Sequence, residues 1–178
     1  MSLYLPALLQ AIQTRLSGDT TLLTYLGTGT ATAISTTFGF PAVDPMGTTY
    51  PRICIMPISE TPDDPFKSRR SLIGIDVMIY AVETPQSGGT GANAQTSLAT
   101  MLRIHERVMG DFPDQATSIP SYGLDWWTPD FTAQTGLAAT TYASETMVFT
   151  GMTNETDTEG GLRCFRISFS VGLNKRSA

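Results

Sequence analysis

Between Leu162 and Leu173 the chain reads LRCFRISFSVGL. Phe165, Ile167, Phe169, Val171 and Leu173 fall on one parity, and Arg166, Ser168, Ser170 and Gly172 on the other. Successive side chains of an extended strand point to opposite faces, so this pattern predicts a long strand with one apolar and one polar face. Such a strand needs neighbours for its backbone N–H and C=O groups and a second layer over its apolar side.

Other stretches supply both. Ile73, Ile75, Val77 and Ile79 alternate with Gly74, Asp76, Met78 and Tyr80 and predict a second long strand. Arg52–Ile58 is apolar on both parities, as in a strand covered on both faces, and Pro57 places that end at an edge or out of the sheet. The polar link Ser59–Arg70 between these two strands predicts an antiparallel pair. Met147–Thr153 is the penultimate strand, and NETDTEGG turns it back into the last one as a C-terminal β-hairpin.

The covering layer is helical. Leu5, Leu8, Leu9, Ile12 and Leu16 repeat at helical spacing, with Gly18 as terminator. Asp19 caps a second short helix built on Leu22, Leu23 and Leu26. A third helix places Leu98, Met101, Leu102, His105 and Met109 on one face and stops at Gly110. From Thr28 to Tyr50 the chain is irregular, with one short strand near Ala33–Thr36. Residues 111–145 read as a long irregular insertion carrying Trp126 and Trp127, the kind of loop that serves an interface or a function. The expected fold is α+β in a single domain spanning 1–178: a mainly antiparallel sheet, helices packed on one face, and a closing hairpin.

At 178 residues one well-buried domain is comfortable and two would be cramped. Only 15% of residues are charged, which suits a surface largely covered by partners. The net charge of −5 argues against general affinity for nucleic-acid phosphates. Cys54 and Cys164 lie inside strand runs and read as packed, reduced thiols. The N-terminus has no basic leader or cleavage site, and no apolar run reaches membrane-spanning length. The expected setting is a reducing cytoplasm, or a particle that is carried out of it.

Nothing in the chain converges on catalysis. The one histidine, His105, sits in a helical apolar stripe, and no Gly-x-Ser-x-Gly or His-Glu-x-x-His motif occurs. Gly88-Gly89-Thr90-Gly91 lacks the Gly-Lys-Ser/Thr ending of a phosphate loop. Glu155, Asp157 and Glu159 imitate the start of a calcium loop, but Arg166 stands where its bidentate glutamate belongs. No enzyme activity, cofactor or metal is therefore expected. Asp63, Asp64, Lys67, Arg69 and Arg70 form the densest charge cluster. It reads as a solvated turn, a contact with a neighbouring subunit, or a basic lining that faces DNA in a channel. Trp126 and Trp127 are anchors for the core or for an interface.

The order of these elements is distinctive. A leucine-rich helix and GDTTLLTYLG lead into TYPRICIMPISE, then SLIGIDVMIYA, then the helix ANAQTSLATMLRIHERVMG, and a late strand pair closes the chain. This order resembles the tail terminator (tail completion) proteins of long-tailed bacteriophages, over roughly Leu3–Met109 and the final strand pair. The resemblance implies a structural virion subunit of the tail or neck, assembled in the host bacterial cytoplasm. Copies would form a ring, expected to be hexameric, that caps the tail-tube protein and ends its growth. The ring would offer a surface to head-completion or connector proteins and leave a channel through which DNA passes without being read. By position, Asp63–Arg70 would meet a neighbouring subunit or the tube. The alternatives are another neck or tail component (a head-closure ring or a tube subunit) or a small ligand-binding domain.

Overall fold

The computed structural model describes residues 5–27, 33–36, 51–62, 70–82, 92–110, 121–130, 142–157 and 162–175. Within them the order is α1 (Leu5–Ser17), α2 (Thr20–Tyr25), β1 (Ile34–Thr36), β2 (Arg52–Pro62), β3 (Arg70–Val82), α3 (Ala92–Met109), β4 (Tyr142–Ser144), β5 (Val148–Asp157) and β6 (Leu162–Lys175). The fold is α+β with a mixed, mostly antiparallel six-stranded sheet. Its strand order is β1-β2-β3-β6-β4, and β5 lies along β6 as well. β1 is parallel to β2, and every other pairing is antiparallel.

β6 is the axis of the sheet, as its alternation requires. One of its edges pairs with β3 over thirteen residue pairs, from Arg70↔Asn174 to Val82↔Leu162. Its other edge is shared: β4 takes Leu173–Lys175 and β5 takes Leu162–Ser170. Asp157 faces Leu162 across the β5–β6 pair, and the connecting residues 158–161 lie outside the described residues.

The apolar parity of β6 defines a core face. Phe165, Ile167, Phe169 and Val171 are buried there with Ile53, Ile55, Ile73, Ile75, Val77 and Ile79, in one cluster with Leu8, Leu9, Ile12 and Leu16 of α1 and Ile104 and Val108 of α3. Phe149 meets Phe169 edge-to-face at 6.2 Å. The outer face holds a smaller sulfur-rich cluster: Cys54, Met56, Met78 and Cys164, with Tyr80 against it.

Local chemistry sets the element ends. Asp19 caps α2 by accepting from the N–H groups of Thr21 and Leu22 at 3.0 and 3.1 Å. The same carboxylate receives Nε and Nη2 of Arg107 at 2.7 and 3.1 Å, tying α2 to α3. α3 turns a different stripe inward from the expected one. Met101, Ile104 and Val108 are buried, whereas Leu102 is exposed and His105 half-buried. Both stripes satisfy helical spacing, and contact with the sheet selects between them.

β2 does not leave the sheet at Pro57. It bulges between Pro57 and Ser59 and then pairs with β3 as far as Pro62, so Ser59–Pro62 belongs to the strand and not to the polar link. Among the described residues the outer side of β2 is paired only at Ile53–Ile55, by β1. Pro57 therefore removes no ladder bond on that side.

Candidate functional site

The sheet's outer face divides into three bands across β2-β3-β6-β5. At one end lies the sulfur cluster, whose thiols are both buried and free. The Tyr80 hydroxyl donates to Sδ of Met78 at 3.2 Å. Burial, with further contributions from Cys164 and Cys54, pushes the Tyr80 phenol up. Burial pushes the Cys164 thiol up to about 11 and that of Cys54 up as well, so both are poor nucleophiles.

The middle band is ionic. Asp76 is 2% exposed. It accepts from the Ser168 hydroxyl at 2.7 Å and lies 3.6 Å from Nε of Arg166. Arg166 also reaches Glu155 at 3.1 Å. One cation thus bridges a buried carboxylate on β3 and an exposed one on β5.

The third band is apolar and open. Ser59, Gly74, Ser170 and Val148 form one row across β2, β3, β6 and β5. Directly opposed residues share a face, so Val148 points to the outer face, as does Leu72 one row along. Ile58, the bulge residue, leans into the space that Gly74 leaves: a Cβ on Gly74 would come within 2.9 Å of its Cγ1 and 2.6 Å of the Ser59 hydroxyl. Ile58, Leu72 and Val148 are 51%, 41% and 46% exposed. Beside this band Arg70 donates to both oxygens of Glu145, at 2.8 and 2.5 Å, and Asn174 donates to the same carboxylate. Those hydrogen bonds, Arg70's first, hold the Glu145 carboxyl below the usual range.

Along the outer side of β5 runs the segment 121–130. Its entry is a backbone contact between Gly110 (φ +106) and Gly123 (φ +78), too close for a Cβ on Gly123. The Leu124 and Asp125 N–H groups then satisfy the last carbonyls of α3, Leu124 to Val108 at 2.9 Å and Asp125 to Met109 at 2.8 Å. The Trp126 N–H donates to Met147 and the Met147 N–H to Trp127, at 2.9 and 2.8 Å. The Phe149 N–H donates to the Asp125 carboxylate at 2.9 Å. Held on both sides, Trp126 takes φ +61 and stands 54% exposed. Trp127 packs on the core cluster with the Arg15 guanidinium 5.5 Å from its ring.

A hollow of about 450 Å³ opens between α1, α2, α3 and Ser121–Tyr122. Its two arginines are already engaged: Arg107 with Asp19 and, stacked at 3.4 Å, with the Tyr122 ring, and Arg15 with the Gly123 carbonyl at 3.2 Å. Among the described residues no cluster of three or more His, Cys, Asp and Glu could hold a metal. No helix among them is long and apolar enough to cross a membrane. His105 is half-buried, and burial holds its imidazole below the ordinary value against the opposing pull of Glu106.

Of the charge cluster singled out from sequence, Asp63, Asp64, Lys67 and Arg69 lie outside the described residues, and Arg70 pairs with Glu145. Of the two tryptophans, Trp126 faces solvent and Trp127 the core. Ile58, Leu72 and Val148 were missed, because each sits in a strand-like run and only the register shows which face it takes.

No family model matches the chain, and no curated protein does. Among solved structures it is similar to a chain described as "Virion of native gene transfer agent (GTA) particle", with a TM-score of 0.49 and 14% identity over 97% of this chain and 99% of that one.

Proposed function

We propose that this chain is a structural virion subunit, a tail terminator whose copies close into a ring, hexameric in the resembling family, on the end of a tail tube. The role is geometric and not catalytic: the ring stops tube growth, presents a surface to head-completion proteins and leaves a channel for DNA. The whole chain acts as one domain, the helices forming the covering layer of the sheet and the antiparallel β5–β6 pair its closing hairpin. The observation that carries the reading is the order of elements. A leucine-rich helix pair, a strand pair around a polar link, a helix and a late strand pair follow one another as in the tail terminator proteins. An outer sheet face that leaves Ile58, Leu72 and Val148 in solvent supports a chain that covers itself with partners.

The polar link, Asp63–Arg70, is assigned to contact with the tube or the next subunit. Since Arg70 is paired with Glu145, Lys67 and Arg69 carry that contact. The test is negative-stain imaging of the purified chain mixed with tail tubes. A terminator gives short rings and capped tube ends; a tube subunit gives long cylinders, and a ligand-binding domain gives neither. Lys67→Glu/Arg69→Glu is expected to abolish capping, and unchanged capping would remove that assignment.

A further inference from the structure

The hollow between α1, α2, α3 and Ser121–Tyr122 reverses the charge balance of the chain. The whole chain carries a net charge of −5, yet the walls of the hollow set Arg15 and Arg107 against the single acid Asp19. That acid is the more hidden group: its side chain is 8% exposed and that of Arg107 is 24% exposed. Four donors fill the two Asp19 oxygens, namely the Thr21 and Leu22 N–H groups and Nε and Nη2 of Arg107. A carboxylate offers about four lone-pair sites, so Asp19 has no acceptor left to present, whereas a guanidinium has five N–H donors. Hydroxyl groups of Thr14, Thr20 and Ser121 add further donors to the walls. We infer that this donor-rich hollow is a binding site for a small phosphate monoester, its phosphate held by Arg15 and Arg107 and its polar remainder by the hydroxyls. The inference stands apart from the ring reading.

Three features select this class of ligand. First, both guanidinium groups are held in place by the protein itself. Asp19 and the Tyr122 ring, 3.4 Å away, fix Arg107, and the Gly123 carbonyl and the Trp127 ring fix Arg15. Donors ordered in advance spare the ligand the entropy of ordering them. Second, the two arginines come from different helices, α1 and α3. A tetrahedral phosphate accepts from donors that share no plane, whereas a planar carboxylate is matched by a single guanidinium fork. Third, a volume of about 450 Å³ is more than inorganic phosphate fills and suits a small ester. Burial, opposed by Asp19, also pulls the Arg15 pKa down, and a bound anion would restore the charged form.

The test is isothermal titration calorimetry of the full-length chain, with thermal melts, in a phosphate-free buffer of constant ionic strength. Glycerol 3-phosphate is the probe, and inorganic phosphate and succinate are the comparison arms. Glycerol 3-phosphate should saturate one site per chain with a Kd of about 1 mM or tighter. Succinate should bind about tenfold more weakly, and inorganic phosphate should fall between the two. At ten times its Kd the ester should raise the melting temperature by roughly 3–5 °C. Thr20→Glu puts a negative charge into the hollow at the exposed first residue of α2, where an acid suits the helix. It should melt like the parent and bind the ester about tenfold more weakly. Ser121→Glu, also exposed, repeats the test from another wall. No saturable binding of the ester, succinate binding as tightly as the ester, or parent-like binding by both variants overturns the site.

Discussion

Arg166 lies between Asp76 and Glu155, and the three differ sharply in exposure, which makes their energetics asymmetric. Replacing Arg166 by Met leaves the 2%-exposed Asp76 carboxylate with the hydrogen bond from the Ser168 hydroxyl, 2.7 Å long, and without its cation. Breaking a buried pair from that side costs about 3–5 kcal/mol. Replacing Asp76 by Ala is milder. Arg166 keeps Glu155 at 3.1 Å and is 31% exposed, so it stays partly solvated. The loss is then the Ser168 bond and part of one ion pair, about 1–2 kcal/mol. Replacing both, as Asp76→Ala/Arg166→Met, removes the charge and its partner together and should return to within about 2 kcal/mol of the parent, less than Arg166→Met alone costs. Urea unfolding of the four chains gives the cycle, and the Arg166→Met chain should melt roughly 10 °C lower. An Arg166→Met cost below that of Asp76→Ala, or a double variant that sums the singles, would refute the reasoning.

Three further outcomes follow from the same structure. Glu145 is held below its ordinary value by Arg70 and Asn174, so its share of stability is complete above pH 4.5 and lost as pH falls through its lower folded value; Arg70→Ala should flatten that part of an acid-unfolding curve. Trp126→Gly relieves the φ +61 conformation, so urea unfolding should place the variant within about 1 kcal/mol of the parent, or above it, although an exposed indole is lost. Cys54 and Cys164 are buried with raised pKa values, so a disulfide reagent at pH 8 should label neither thiol until urea unfolds the chain.

The parts of the fold that sequence made legible are those with a period. The alternation of β6 and β3, the helical repeat of α1, and the caps at Gly18 and Asp19 all follow from spacing and local hydrogen bonding. β2 was cut short because Pro57 reads as a strand end, whereas a bulge carries the strand past it. Residues 121–130 have no period. Their order comes from backbone bonds to Val108, Met109 and Met147, and from the approach of Gly123 to Gly110, none of which is local in sequence. Ile58, Leu72 and Val148 were hidden for a related reason: strand pattern shows that a side chain is apolar, and the pairing of Val148 with Ser170 and of Ser59 with Gly74 is needed to place it in solvent. Trp126 and Trp127 read alike in the sequence, as anchors for the core or for an interface, and their separation into one exposed and one core-packed ring depended on one left-handed residue.

The central claim is most directly tested by native mass spectrometry of the purified chain alone and after incubation with tail tubes. Closed, head-to-tail rings predict one discrete assembly, a fixed multiple of the 19.2 kDa chain, that does not lengthen with concentration and is recovered from tube ends. A single-chain mass under both conditions, or an open-ended ladder of masses, would contradict it.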